Sequence, residues 1–155
     1  MDVVINASPL IFLYKIERLD VLSKIFNTIY IPQAVSSEIE SGNSIEAKKL
    51  LSSTPYKAME VTNVTAVHGL LGRLHLGEVE VIVGAIEMGI SKVVLDDIYA
   101  RNKAKQLKLE VTGILGILLK AKEAGLIDDI RKDIERLKGV GMYLSDKIIE
   151  RVLNF

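Results

Sequence analysis

KVVLDDIYAR, residues 92–101, decides the fold. Three β-branched or aliphatic residues, Val93 to Leu95, make a short strand apolar on both faces, as in a parallel sheet covered from both sides. Asp96 and Asp97 end it, and Ile98 to Leu107 has helical spacing, so a strand runs through an acidic turn into a helix. The same grammar repeats outward. Val3-Val4-Ile5 is followed by Asn6, Ala7, Ser8 and Pro9, with Ser8 suited to cap a helix and Pro9 to its first position. That helix carries Leu10, Ile11, Leu13, Tyr14 and Ile16, and a second short one covers Leu19 to Phe26. Thr28 to Ile31 reads as a strand, with Pro32 opening a helix from Gln33 to Ser41 that Gly42 closes. Asn43 or Ser44 would cap the next helix, through Leu51, before a strand at Met59 to Thr62. Residues 63–76 read as loop or short helix. Gly77 to Met88 is strongly periodic and ends at Gly89. Leu109 to Val111 is a fifth strand, leading through Thr112 and Gly113 into a helix from Ile114 to Ala124. Helices at Asp128 to Leu137 and Ser145 to Leu153, the latter capped by Ser145, close the chain. Strands alternating with helices predict a three-layer α/β/α domain around a central parallel sheet of about five strands. We read 1–155 as one domain, with a core over about 1–127 and a helical extension over about 128–155.

Composition narrows the chemistry. Of 155 residues, 49% are hydrophobic and 26% charged, which excludes a disordered or fibrous chain. Twenty basic and twenty acidic residues cancel, so any nucleic-acid contact must be local. No cysteine and only two histidines, His68 and His75, are present. That excludes disulfides, thiolate metal sites, a Cys nucleophile and a multi-histidine centre. A metal must be held by oxygens, which points to Mg²⁺ or Mn²⁺. No segment has the ~20 apolar residues that span a bilayer, and the opening, with Asp2 and no basic stretch, does not read as a signal peptide. A soluble cytoplasmic protein without membrane contact is expected, and the composition is compatible with a thermophilic source.

In open parallel sheets the site lies at the carboxyl ends of the strands. Asn6 and Ser8 follow the first strand, Asp96 and Asp97 the fourth, and Thr112 the fifth. No glycine-rich phosphate loop and no coherent Ser/His/Asp triad occurs. Glu38 sits in the last turn of its helix, against the dipole and along the apolar stripe. Glu78 borders the apolar face of the 77–88 helix, with Glu80 on its more polar side. Each residue has a plain structural use: Asp97 and Ser8 as caps, Glu78 as a dipole complement, both histidines at the surface. Arg101, Lys103, Lys105 and Lys108 make a solvated helix face or a phosphate-contacting patch. Several carboxylates gathered in one cleft repel one another unless a divalent cation compensates them, and such a cation assists phosphodiester hydrolysis.

Five segments, VVINASPLIFLYKI (3–16), IPQAVSSEIESG (31–42), LGEVEVIVGAIEMG (76–89), VVLDDIYAR (93–101) and LEVTGILGILLKAKEAGLI (109–127), occur in this order. Together they resemble PIN domains, and more closely the prokaryotic subgroup whose first motif reads Asn-x-Ser-Pro-Leu. The resemblance implies a Mg²⁺- or Mn²⁺-dependent endoribonuclease cutting single-stranded RNA. It also implies the toxin role of many members, with a partner antitoxin and a homodimer. Carried onto this sequence, Glu38, Glu78 and Asp97 are catalytic, and Asn6, Glu38, Glu78, Asp96 and Asp97 hold the metal. Ser8, Glu80 (the competing alignment for Glu78) and Thr112 support them, while Arg101 and Lys103 contact RNA. The departure is Asn6, which stands where the family usually has its first aspartate. Its amide oxygen brings no negative charge, which weakens the hold on a hard cation. The alternative is therefore a catalytically degenerate module that binds nucleic acid or protein. A receiver-like signalling domain is disfavoured, because such domains place paired acids where Asn6 stands.

Overall fold

The computed structural model describes residues 1–42 and 44–154. Asn43 lies outside them, as does the side chain of Ser44, so the expected cap of the fourth helix is not among the described residues. Along the chain run β1 (Asp2–Ile5), α1 (Ala7–Lys15), α2 (Val21–Ile25), β2 (Thr28–Pro32), α3 (Gln33–Gly42), α4 (Ser44–Ser53), β3 (Lys57–Met59) and α5 (Val64–Leu70). They are followed by α6 (Leu76–Met88), β4 (Lys92–Val94), α7 (Ile98–Gln106), β5 (Glu110–Thr112), α8 (Ile114–Glu123), α9 (Arg131–Gly139) and α10 (Asp146–Leu153).

The five strands form one sheet in the order β3-β2-β1-β4-β5, every pairing parallel, with helices flanking it in a three-layer arrangement. The strand order reverses between β1 and β4, which makes that crevice the topological switch point of the sheet. Ile5 pairs with Val94, and Val94 with Thr112, so the carboxyl ends of β1, β4 and β5 are level. Two backbone bonds carry the alignment one residue further: Asn6 N–H donates to the Val94 carbonyl (3.2 Å), and Leu95 N–H to the Thr112 carbonyl (3.0 Å). Val3, Val4 and Ile5 are fully buried, as the continuous apolar run requires of a strand covered on both faces. Helix α6 packs across β1, β2 and β4 and buries an almost unbroken run from Gly77 to Ala85. At Gly84 the helix also comes close to the end of β3, where a Cβ would collide with the Met59 sulfur. The buried apolar residues form one cluster from Val3 to Val152, and Ile130, Ile134 and Leu137 of the last helices belong to it.

Several boundaries differ from the sequence reading. Helix α1 begins at Ala7, so Asn6 takes the N-cap position and Ser8 does not. Pro9 then sits in the first turn, where a missing N–H costs nothing. Pro32 is the last residue of β2, paired with Met59, and α3 starts directly after it at Gln33. The third strand lies at Lys57–Met59, not Met59 to Thr62, because pairing with Tyr30 to Pro32 fixes its register. Thr62 N–H instead donates to the Glu87 carboxylate. Helix α5 is a short helix within 63–76, as one of the two expectations for that stretch had it: Asn63 Oδ1 accepts from Ala66 N–H (3.0 Å), and only Val67 of the helix is buried, so no apolar period marks its bounds. Helix α9 starts at Arg131, not Asp128, with Asp129 Oδ1 accepting from Arg131 N–H. Ser145 does cap α10, its Oγ accepting from Ile148 N–H.

Candidate active site

A cavity of about 420 Å³ opens at the switch point. Its polar lining comes from residues far apart in sequence: Asn6 and Ser8 after β1, Glu38 from α3, Glu78 from α6, and Asp96 and Asp97 after β4. The level strand ends deliver Asn6 and the aspartate pair, and α6 and α3 bring the glutamates across them. Of the residues expected in the site, these six line one hollow.

Glu78, Asp96 and Asp97 are each also held by a backbone N–H. Glu78 is buried near the start of α6, and its Oε1 accepts from His75 N–H at 3.0 Å. Burial pushes the Glu78 carboxyl above its usual range, and the charges of Asp97 and Glu38 push it further; the His75 N–H bond and the His75 imidazole oppose the rise. Asp96 Oδ1 accepts from Ile114 N–H at 3.2 Å. Burial likewise raises Asp96, against that hydrogen bond and the Arg101 charge. Asp97 Oδ2 accepts from Ala100 N–H at 3.0 Å and so caps α7 while lining the hollow. Glu38 is exposed on α3, yet its Oε2 would stand 3.0 Å from a Cβ added to Gly77, and Asn6 Oδ1 3.4 Å from it. Gly77 is thus the floor over which these two oxygens converge.

The other expected residues do not line the hollow. Glu80 accepts from Ala34 N–H at 3.0 Å, tying α6 to the start of α3, and lines a neighbouring groove with Glu38 and His75. Between the two alignments, Glu78 is the one beside Asn6 and Asp97. Thr112 turns its hydroxyl against Gly116 in α8. Arg101 Nη1 donates to the Leu95 carbonyl at 2.8 Å, and Lys103 lines a separate cavity. Two features of the hollow carried no signal in the sequence. His75, a surface residue as expected, stands at the mouth shared by the hollow and the Glu80 groove. The turn Gly141 to Tyr143, between α9 and α10, lines the hollow, as does Phe12. Neither shows a periodicity or motif that would have marked it.

The donor chemistry fits a hard divalent cation, because every polar group offered is oxygen apart from the His75 imidazole at the rim. Asn6 Oδ1 and Asp96 Oδ2 are buried with no hydrogen-bond partner, an expense that a ligand would remove. The carboxylates nevertheless do not form a finished nest: among the described residues, no three Asp, Glu or His side chains stand close enough to hold one ion. A cation would have to draw Glu38, Glu78 and Asp97 inward. No helix among the described residues is long and apolar enough to cross a membrane.

A family model described as a PIN domain matches residues 2–155. No curated protein matches the chain.

Proposed function

Because this chain belongs to the PIN domain family, we propose that it is a metal-dependent endoribonuclease that cleaves single-stranded RNA. The observation that carries this reading is the convergence of Asn6, Glu38, Glu78, Asp96 and Asp97 on one hollow at the switch point of the sheet. Asn6, Glu38, Glu78, Asp96 and Asp97 would hold Mg²⁺ or Mn²⁺. Bound there, the cation supplies charge neutralisation at the scissile phosphate and activation of water. The protein supplies the rest. Glu78 and Asp97 each keep one oxygen on a backbone N–H, which fixes the carboxyl plane and leaves the second oxygen for the hollow. Ser8 lines the same wall, and Phe12 and the Gly141 to Tyr143 turn narrow the opening from its sides. The test is incubation with single-stranded RNA and Mn²⁺. Wild type cuts, whereas Asp97→Asn, Glu78→Gln and EDTA each abolish cutting. Cleavage that survives in Asp97→Asn and in EDTA sinks the assignment.

The toxin role belongs to the same proposal, with an antitoxin partner, a homodimer and a cytoplasmic setting. Induced expression in a bacterial host should arrest growth, and Asp97→Asn should lift the arrest. Light scattering reports the oligomer.

One observation favours a second reading. Asn6 replaces a carboxylate and the acids are not gathered into an ion nest, so a module that binds without cutting is the alternative. Calorimetric titration with Mn²⁺ separates the two. Binding absent in wild type and restored by Asn6→Asp selects the degenerate module.

A further inference from the structure

Helix α7 lines another cavity, of about 380 Å³, through Tyr99, Asn102, Lys103 and Gln106, and no carboxylate lines it. Arg73 and Lys103 supply two cations, Asn102 and Gln106 two amides, and Leu70 and Leu74 an apolar floor. The Tyr99 ring, 54% exposed, stands in the same cavity with the Arg73 guanidinium 5.3 Å from its centroid. Neither Arg73 nor Lys103 has a carboxylate within ion-pair distance among the described residues. In a chain of zero formal net charge, this is a local basic site with no internal counter-charge. Tyr99 and Lys103 follow Asp97 by two and six positions, and at ~1.5 Å of rise per residue the cavity begins within about 10 Å of the acidic hollow along the helix.

We propose that this cavity is an anchoring subsite for one nucleotide of a single strand whose neighbouring phosphate lies in the acidic hollow. The base stacks on the open face of Tyr99, the phosphate meets Arg73 and Lys103, and the amides of Asn102 and Gln106 reach the base edge. Stacking on an aromatic beside a cationic track is how proteins hold unpaired nucleic acid with little sequence preference. A duplex keeps its bases stacked on one another and cannot offer one to Tyr99, so the subsite selects single strands. An acidic peptide would satisfy the two cations but would make no use of the open ring and paired amides. The inference rests on the nuclease reading for the identity of the strand, and its test separates the two.

The experiment is fluorescence anisotropy with a short fluorescein-labelled oligoadenylate in EDTA, where no metal-dependent cutting occurs. Wild type should bind, and Tyr99→Ala should weaken binding roughly 5- to 100-fold, while Tyr99→Phe stays within about two-fold because its ring still stacks. The double variant Arg73→Ala/Lys103→Ala should lower the slope of log affinity against log salt by about 1.4, the value for two lost phosphate contacts on a single strand. A merely structural role for these residues would not move that slope. Oligoadenylate binding that is absent in wild type or unchanged in Tyr99→Ala overturns the subsite. Binding of polyglutamate but not oligoadenylate also overturns it, in favour of an acidic protein partner. Cleavage assays with Mn²⁺ on the same variants complete the separation. Tyr99-dependent binding without any wild-type cutting overturns the nuclease reading alone, and cutting with an unchanged KM in Tyr99→Ala overturns the subsite alone.

Discussion

Glu78 is a residue whose placement strains the fold. It is buried, its one hydrogen bond comes from His75 N–H, and two other carboxylates press on it. Its folded pKa is raised above the unfolded value, so the charged form costs stability at every pH above that raised value. The cost shrinks as pH falls through the window between the two and is gone below the unfolded pKa. Glu78→Gln removes the charge and keeps an oxygen to accept from His75 N–H. We expect a higher Tm at neutral pH, by about 2–4 °C for each kcal/mol recovered at this chain length, and no advantage at pH 4. RNA cleavage by the same variant should be lost. Thermal melts at the two pH values check the first part, and an unchanged neutral Tm would refute it. Gly77 makes the complementary case. Alanine is usually the better helix residue by up to about 1 kcal/mol, but here its Cβ would press on Glu38 Oε2 and approach Asn6 Oδ1. Glu38 is the far end of a flexible side chain and yields, so Gly77→Ala should melt within about 4 °C of wild type. Its Mn²⁺ affinity should fall about 10- to 100-fold, as for other changes that disturb a metal ligand's support. Titration calorimetry reads that directly.

Elements are joined here by a few contacts of great sequence separation. Asp133 on α9 is fully buried, and its Oδ1 accepts from Arg18 Nε at 2.8 Å, in the turn between α1 and α2. Its other oxygen, Oδ2, is buried without a partner. Breaking a buried pair from one side strands a charge, which costs about 3–5 kcal/mol in a closed interior. Arg18 keeps a side-chain exposure of 31%, so water offsets part of this, and we expect about 2–3 kcal/mol for Arg18→Ala. Arg18→Met/Asp133→Leu should be less destabilised than Arg18→Ala, because nothing charged is then left inside. Urea unfolding of both variants decides the order. The sequence made most of this scaffold legible. β-branched runs and apolar periods marked β1, β2, β4, α6 and α8, because burial on a regular element writes its period into the chain. The bounds of α5, expected only as a short helix or loop, were not legible because one buried residue makes no period. Strand β3 was misplaced because its register comes from its neighbour β2, which no local composition encodes. Asn6, Asp96 and Asp97 of the hollow were legible because strand ends are predictable places, and Glu38 and Glu78 because each borders the apolar face of its helix. The Glu80 tether to α3, the Gly141 to Tyr143 wall and the Tyr99 cavity were not, because each depends on which side of a helix meets another element.

At the scale of the whole molecule, the last helices bear on both stability and the site. In the helical extension, Ile130, Ile134, Leu137 and Val152 are buried in the same apolar cluster as the strands. Burying a Val, Leu or Ile side chain contributes about 1.5–3 kcal/mol, so four of them contribute on the order of 6–12 kcal/mol as an upper figure. A domain's whole net stability is about 5–15 kcal/mol. Residues 1–127 alone should therefore not fold, and a chain cut after Ile127 should be insoluble or lack a cooperative melt. If that fragment melted cooperatively within a few degrees of the full chain, the extension would be an accessory and not part of the core. The same helices place Gly141 to Tyr143 against the hollow. A milder variant isolates that second contribution: Tyr143→Ala changes a side chain that is 89% exposed, so its Tm should match wild type to within about 2 °C. Any change it produces in RNA cleavage then reports the wall of the site and not the stability of the fold. Wild-type cleavage kinetics in Tyr143→Ala, together with folding of residues 1–127, would leave the extension without a role in either.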